Sequence, residues 1–203
     1  MRIFSLRFLA DTARLTVWLP LLLAACSEPT GPVGTAIENV TVIDDVDGVR
    51  PAQTVVFDGD EIIAVLPADA EHNAAETLDG TGKYLIPGLW DFHVHLSYDA
   101  RLTPSMPALF LSWGITSVRD TGGLLENVLP IVDSMRADGA LAPRVYFAGP
   151  LLDGEYVVYN GVGRPEIGIR LTTPDEAREA VRNLKEQGAA FITVYEMVTP
   201  DVF

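Results

Sequence analysis

The chain has 203 residues, 48% of them apolar and 21% charged, a mix that folds rather than staying disordered and suits one domain or one and a half. Its 14 Lys and Arg stand against 28 Asp and Glu, and the net charge of -14 repels phosphate backbones and anionic headgroups, which argues against a nucleic-acid partner. The single cysteine rules out an intramolecular disulfide and a cysteine-built zinc site, leaving His, Asp and Glu as donors for any metal.

Arg2, Arg7 and Arg14 precede the apolar run Leu15–Ala25, which is too short for the ~20 residues that span a bilayer as a helix. Residues 1–26 therefore read as a signal peptide with a basic end and an apolar centre. Leu23-Ala24-Ala25-Cys26 resembles a bacterial lipobox, which implies that Cys26 is acylated and that the chain touches a membrane only through a lipid anchor. Ser27 stands where an Asp would favour inner-membrane retention, so the expected location is the outer membrane, facing the periplasm or the cell surface. An ordinary secretory signal is the alternative, and both export the chain. Residues 27–35, rich in Pro and Gly, read as a linker.

Residues 36–86 carry short β-rich runs, Val40–Ile43 and Gln53–Phe57, and then Asp58-Gly59-Asp60 before Glu61–Leu66, a hairpin because Asp-Gly accommodates the positive φ of a tight turn. Beyond residue 87 the period changes. Leu89–Leu96 is strand-like, and Thr103-Pro104 opens a helix through Leu109, Phe110 and Trp113 that stops at Gly114. Ile115–Arg119 is a second strand. Asn127 is expected to cap a helix whose Val128, Ile131, Val132 and Met135 share one face and which Gly139 ends. Arg144–Ala148 is a third strand, and Gly149–Thr172 reads as a long glycine-rich loop with Tyr156, Tyr159 and Arg164, of the kind that covers substrate. Thr173-Pro174-Asp175-Glu176 is a capping box opening a helix that buries Ala177, Val181 and Leu184 and stops at Gly188. Ala190–Tyr195 is a fourth strand. Four strand-helix alternations predict a parallel α/β sheet with crossover helices, open to both a doubly wound sheet and a barrel. No Gly-x-Gly-x-x-Gly follows the first of these strands, so a dinucleotide site lacks its fingerprint.

The chemistry sits in Pro87-Gly88-Leu89-Trp90-Asp91-Phe92-His93-Val94-His95. Residues two apart on a strand share a face, ~6.6 Å apart, so His93 and His95 can converge on one ion. From spacing alone a chance pair on a solvated face is the alternative. Phe92 and Val94 are expected to pack outward against helices, with Asp91, His93 and His95 lining the inside.

This block resembles the first barrel strand of the amidohydrolase superfamily, whose members commonly show Pro-Gly-x-x-Asp-x-His-x-His after a small β domain. Gly114-Ile115-Thr116-Ser117-Val118-Arg119-Asp120 is similar to the second strand of its imidazolonepropionase and prolidase-like branch. The resemblance implies a small N-terminal β-sandwich-like domain over 36–86, followed by the first half of a (β/α)8 TIM barrel over 87–203, with its site at the C-terminal strand ends. It implies one or two divalent cations, usually zinc, held by His93 and His95, and hydrolysis of a small-molecule amide, cyclic amide or dipeptide-like substrate by metal-activated water. The family's later His ligands and its general-base Asp belong to strands beyond the four read here, so the chain is expected to be truncated. His72 is expected to be a solvated loop residue.

Gly188-Ala189-Ala190-Phe191-Ile192-Thr193-Val194 is similar to the branch's fourth-strand motif, but Thr193 stands where the family has the lysine that is carboxylated to bridge two metals. That speaks against a second ion. Glu196 has the wrong strand parity to substitute, and Asp120 either orients a ligand or caps the turn after its strand. The competing function is a non-catalytic, lipid-anchored surface or periplasmic binding protein that keeps the half barrel.

Overall fold

The computed structural model describes residues 31–203. The signal-like segment and Cys26 lie outside the described residues. Two compact units divide the chain, one holding Val49–Tyr84 with the described residues up to Val42, the other holding Ile43–Gly48 and Leu85–Phe203.

The first unit is built on one five-stranded sheet. β1 (Thr35–Asp44), β2 (Gly48–Asp58), β3 (Glu61–Pro67) and β4 (Glu76–Asp79) lie in the order β3-β2-β1-β4, and β5 (Tyr84–Leu85) pairs with β1. β2 and β3 are antiparallel around Gly59, whose φ of 57° is the turn conformation that Asp-Gly predicts. Ala36, Val40, Val55 and Val56 are buried, and Thr54 is wholly buried beside them. His72 is not the solvated residue expected from its polar neighbours: only 15% of its side chain is exposed, and its Nε2 lies 2.9 Å from Glu38 Oε1. Its Nδ1 accepts the Ala74 amide at 3.4 Å, so the ring is committed to the parallel β1/β4 edge.

The second unit alternates strand and helix as its periodicity predicts. β6 (Leu89–Val94), β7 (Ile115–Asp120) and β8 (Arg144–Phe147) form one parallel sheet, and β9 (Leu151–Asp153) is flanked in a second by β10 (Gly168–Arg170) and β11 (Thr193–Val194), also parallel. A 3-10 turn at Thr103–Ser105 leads into α1 (Met106–Ser112), and α2 (Leu125–Arg136) and α3 (Pro174–Glu186) follow. Val128, Val132 and Met135 of α2 pack on Val94, Val118, Val145 and Phe147. Fully buried Phe147 contributes about 1.5–3 kcal/mol through area removed from water. Arg136 closes this core by donating from Nη2 to the Val145 carbonyl at 2.9 Å with its guanidinium over the Phe147 ring. On α3, Leu184 with Ala177 and Val181 packs on Leu152, Leu171 and Val202.

Four expectations need correction. Asn127 is not a cap: α2 begins at Leu125 after extended Leu124, and the Asn127 amide already donates to the Leu124 carbonyl, with Glu126 favouring the positive end of the helix dipole. Gly149–Thr172 is not one irregular loop. Gly149, at φ 81°, turns the chain between β8 and β9, and the Asn160 side chain pins the remaining excursion by accepting from the Ile167 and Gly168 amides and donating to the Gly168 carbonyl. The fourth strand shortens to Thr193–Val194, because the third strand it follows is itself split: Ala190 donates to Phe147 in β8 and Tyr195 to Leu152 in β9. Phe92 does not pack outward. The register of β6 shifts between Asp91 and Val94, and Phe92 stays 59% exposed, stacked on Trp90.

The Thr173 side chain accepts the Glu176 amide at 3.3 Å and the Glu176 carboxylate accepts the Thr173 amide at 3.1 Å, so Thr173→Ala is expected to lower stability by about 1 kcal/mol in urea unfolding. Hydrogen bonds from Thr172 hold the Glu176 carboxyl below its ordinary range, so this brace is complete above the usual carboxylate pKa and is lost as pH falls through the lowered one. A Cβ at Gly154 would lie 1.8 Å from the Met197 carbonyl oxygen, a backbone atom. Gly154→Ala is therefore expected to cost about 1–3 kcal/mol in the same measurement, while Gly161→Ala, which meets nothing within 4 Å, changes little.

Candidate metal centre

Parallel strands bring their C-terminal ends to one side of the sheet, and the polar residues of the second unit collect there. β6 carries His93 near its end and His95 just past it. The Asp91 carboxylate accepts the His93 amide at 3.1 Å where the register of the strand shifts, and the two imidazoles stand close together. Their ring centroids are 5.2 Å apart and their planes 78° from each other.

His95 is held in one tautomer. Its Nδ1 lies 2.9 Å from the Gly122 carbonyl oxygen, which can only accept, so Nδ1 carries the proton and Nε2 keeps its lone pair. Glycine at 122 leaves room for this approach, since a Cβ there would lie 2.9 Å from Leu151 Cδ2 and 3.1 Å from His95 Cε1, and both side chains would have to shift.

Asp120, the last residue of β7, is fully buried. Its Oδ2 accepts the Leu96 amide at 2.7 Å and its Oδ1 the Gly122 amide at 3.2 Å. Burial pushes its carboxyl above the usual range, against the pull of those two amides and of nearby His95. Of the two roles open to it from the sequence, it does cap the turn, and it also reaches across to the strand that carries the histidines. Asp153, which ends β9, repeats the device: fully buried, it accepts the amides of Gly154, Val158 and Met197 between 2.8 and 2.9 Å.

His93 and His95 line a cavity of about 150 Å³ together with Thr121, Leu151, Tyr159, Thr193 and Tyr195. Thr193 thus faces the histidines, as the fourth-strand motif predicts. The Tyr159 ring stands 6.3 Å from that of His95, 6.1 Å from that of Tyr98 and 6.4 Å from that of Tyr195, an aromatic wall beside the imidazoles. A hydrogen bond with Tyr98 raises the Tyr159 phenol above its ordinary pKa. Tyr98, Tyr195 and Asp153 carried no sequence signal of their own, although an Asp closing a strand just before a turn, at 120 and again at 153, was there to be read.

Other candidates stand elsewhere. Arg119 pairs with no substrate-facing group; its guanidinium lies over Phe191 at 4.1 Å and Phe92 at 5.8 Å. Arg164 lies over Tyr159 at 5.7 Å. Glu196 is exposed and does not line the cavity. A larger groove of about 330 Å³ runs along α3 beside Asp201 and Phe203, without a histidine.

The donor set fits part of a metal site. Two imidazoles edge to face, one with Nδ1 tied to a backbone carbonyl, are the arrangement metal-binding histidines use. Among the described residues no third His, Cys, Asp or Glu stands with them.

No family model matches the chain. An adenine deaminase from Edwardsiella ictaluri is 30% identical over 98 residues, 48% of this chain and 17% of that protein. A dihydroorotase from Trichlorobacter lovleyi is 38% identical over 60 residues, 30% of this chain and 14% of that protein. Among solved structures, a prolidase-like protein from Bifidobacterium longum superposes with a TM-score of 0.67 and 30% identity over 81% of this chain and 41% of its own. The chain spans less than a fifth of those two curated relatives and under half of that structure. The His-x-His strand, the parallel strands that follow it and these three likenesses agree in supporting a likeness to the amidohydrolase superfamily.

Proposed function

We propose that this chain is the N-terminal part of a metal-dependent hydrolase of carbon-nitrogen bonds, with His93 and His95 as two ligands of a divalent cation. The observation that carries this reading is the His95 imidazole, whose Nδ1 is spent on Gly122 so that its Nε2 is free to coordinate beside His93. When bound, zinc would lower the pKa of coordinated water toward ~7 and polarise a substrate carbonyl. Gly122 fixes the His95 imidazole and Asp91 holds the His93 backbone amide, and Tyr159, Tyr195 and Leu151 border the cavity in which an amide would be oriented and water excluded. Thr193 cannot be carboxylated as a lysine can, which favours a single ion.

The deaminase, dihydroorotase and prolidase names all point to carbon-nitrogen hydrolysis, and the prolidase-like neighbour favours an amide or dipeptide-like substrate. Activity belongs to a longer protein in this reading, one that supplies the remaining ligands, the general-base carboxylate and the rest of a (β/α)8 barrel. Trp90, Phe92, Ile192 and Val194 are each at least 40% exposed, apolar surface that further barrel strands would cover. Cys26 is the lipidated residue of an exported protein in the same reading.

Zinc titration of the full chain, followed by imidazole resonances, is expected to shift His93 and His95 together while leaving His72, which is engaged by Glu38, in place. His93→Asn and His95→Asn should each abolish saturable binding; zinc shifts that survive both substitutions would defeat the proposal. Expressed in a Gram-negative host with labelled palmitate, the chain should incorporate label and lose it in Cys26→Ser, and label retained by that variant would remove the anchor.

A further inference from the structure

We propose that Asp120 is a positioning residue for His95: by taking the Leu96 and Gly122 amides at once, it fixes the carbonyl that selects the Nδ1-protonated form of the imidazole.

The argument begins with the glycine. Residue 122 is a glycine at which a Cβ would crowd Leu151 and His95, and a glycine is the residue least able to hold its own peptide planes. Two peptide planes meet at its Cα, and both are tied. The plane before it is held through the Gly122 amide, which donates to Asp120 Oδ1 at 3.2 Å. The plane after it is held through the Gly123 amide, which donates to the Gly149 carbonyl at 3.1 Å, and its own carbonyl accepts from His95 at 2.9 Å. Asp120 Oδ2 meanwhile takes the amide of Leu96, the residue after His95, at 2.7 Å. One carboxylate therefore holds the backbone on both sides of the His95–Gly122 hydrogen bond.

The placement is costly, which is why it needs a function. A buried carboxylate is tolerated only with its oxygens satisfied, and a neutral side chain could cap the turn without desolvating a charge. A neutral cap would leave one of the two amides without its acceptor. Asparagine, isosteric with aspartate, offers one acceptor oxygen where two amides need one each, so in Asp120→Asn either Leu96 or Gly122 faces an NH2 group. Gly122 then keeps only the restraint through the Gly123 amide, its carbonyl is held less firmly, and His95 can populate the Nε2-protonated form, whose lone pair sits on Nδ1. The consequence for metal binding rests on the function proposed above; the tautomer does not.

The test uses the full chain labelled with 15N and 13C, metal-free, at about pH 8. Two-bond 15N–1H spectra should show wild-type His95 protonated at Nδ1, and Asp120→Asn should show a mixture with the Nε2-protonated form. Asp153→Asn removes an equally buried carboxylate that holds three other amides, and His95 should keep its wild-type form there. Zinc affinity should fall about 10–100-fold in Asp120→Asn, the usual cost of losing support for a metal-binding histidine.

A His95 that stays wholly Nδ1-protonated in Asp120→Asn, or shifts equally in Asp153→Asn, overturns the proposal. If Asp120→Asn loses its dispersed amide spectrum, the wild type decides alone. Couplings from the Leu96 and Gly122 amides to the Asp120 carboxyl carbon, with Nδ1-protonated His95, support the proposal; absence of either coupling, or a predominantly Nε2-protonated His95, overturns it. Wild-type chain that shows the tautomer switch yet binds no zinc defeats the metal reading and leaves the positioning role standing.

Discussion

A carbonyl oxygen accepts and never donates, and the contact between His95 and Gly122 turns that rule into a choice of which imidazole nitrogen carries the proton. With the proton on Nδ1 the free lone pair sits on Nε2; with the opposite tautomer, the 2.9 Å approach would set two lone pairs against each other. The glycine at 122, the register shift in β6 and the buried carboxylate of Asp120 each serve this one hydrogen bond. The alternative tautomer leaves a buried carbonyl unsatisfied, at a cost of about 1–3 kcal/mol.

Parallel strand direction explains why these groups meet although they lie far apart in the chain. β6, β7 and β8 end on the same side, as do β9 and β11, so the residues just past each strand, from His95 and Thr121 to Tyr195, converge without long-range design of individual loops. What each strand end lacks is a partner for the backbone amides that leave the ladder. Asp120 supplies them after β7 and Asp153 after β9, and each reaches beyond its own turn to a neighbouring segment. The two carboxylates thus do at the strand ends what a cap does at a helix terminus: they satisfy donors that regular structure leaves behind.

The elements legible in the sequence are those governed by local chemistry. The Asp58-Gly59 hairpin, the capping box at Thr173 and the apolar stripe of α2 are each set by residues within one or two turns, and they stand where the pattern puts them. That His93 and His95 stand together was legible too, because a strand's period of two sets both on one face. The misses are tertiary. Asn127 looks like a cap until Leu125, packed against the core, extends the helix back past it. His72 looks solvated until the parallel pairing of β1 with β4 brings Glu38 across from 34 residues away. Asp153 carries no local signal, because one of the amides it holds, that of Met197, returns 44 positions later. In each case the deciding partner is distant in sequence, and no window of local spacing contains it.

In a chain with twice as many acids as bases, a carboxylate to complete the metal's ligand set should be easy to find. Asp120 stands closest to His95 among the candidates, close enough for their charges to interact, yet it is badly placed for the task. Both of its oxygens already hold backbone amides, and turning either toward a cation would orphan a buried donor and release the glycine that orients His95. Asp153 is committed in the same way to three amides, and Glu196 points to solvent. The second unit therefore spends its nearby carboxylates on backbone amides beside the imidazoles and the aromatic wall, and leaves none of them free for a cation. In the metal-dependent reading proposed above, a further ligand would have to come from outside this set, since Thr193 on the cavity wall offers only a hydroxyl.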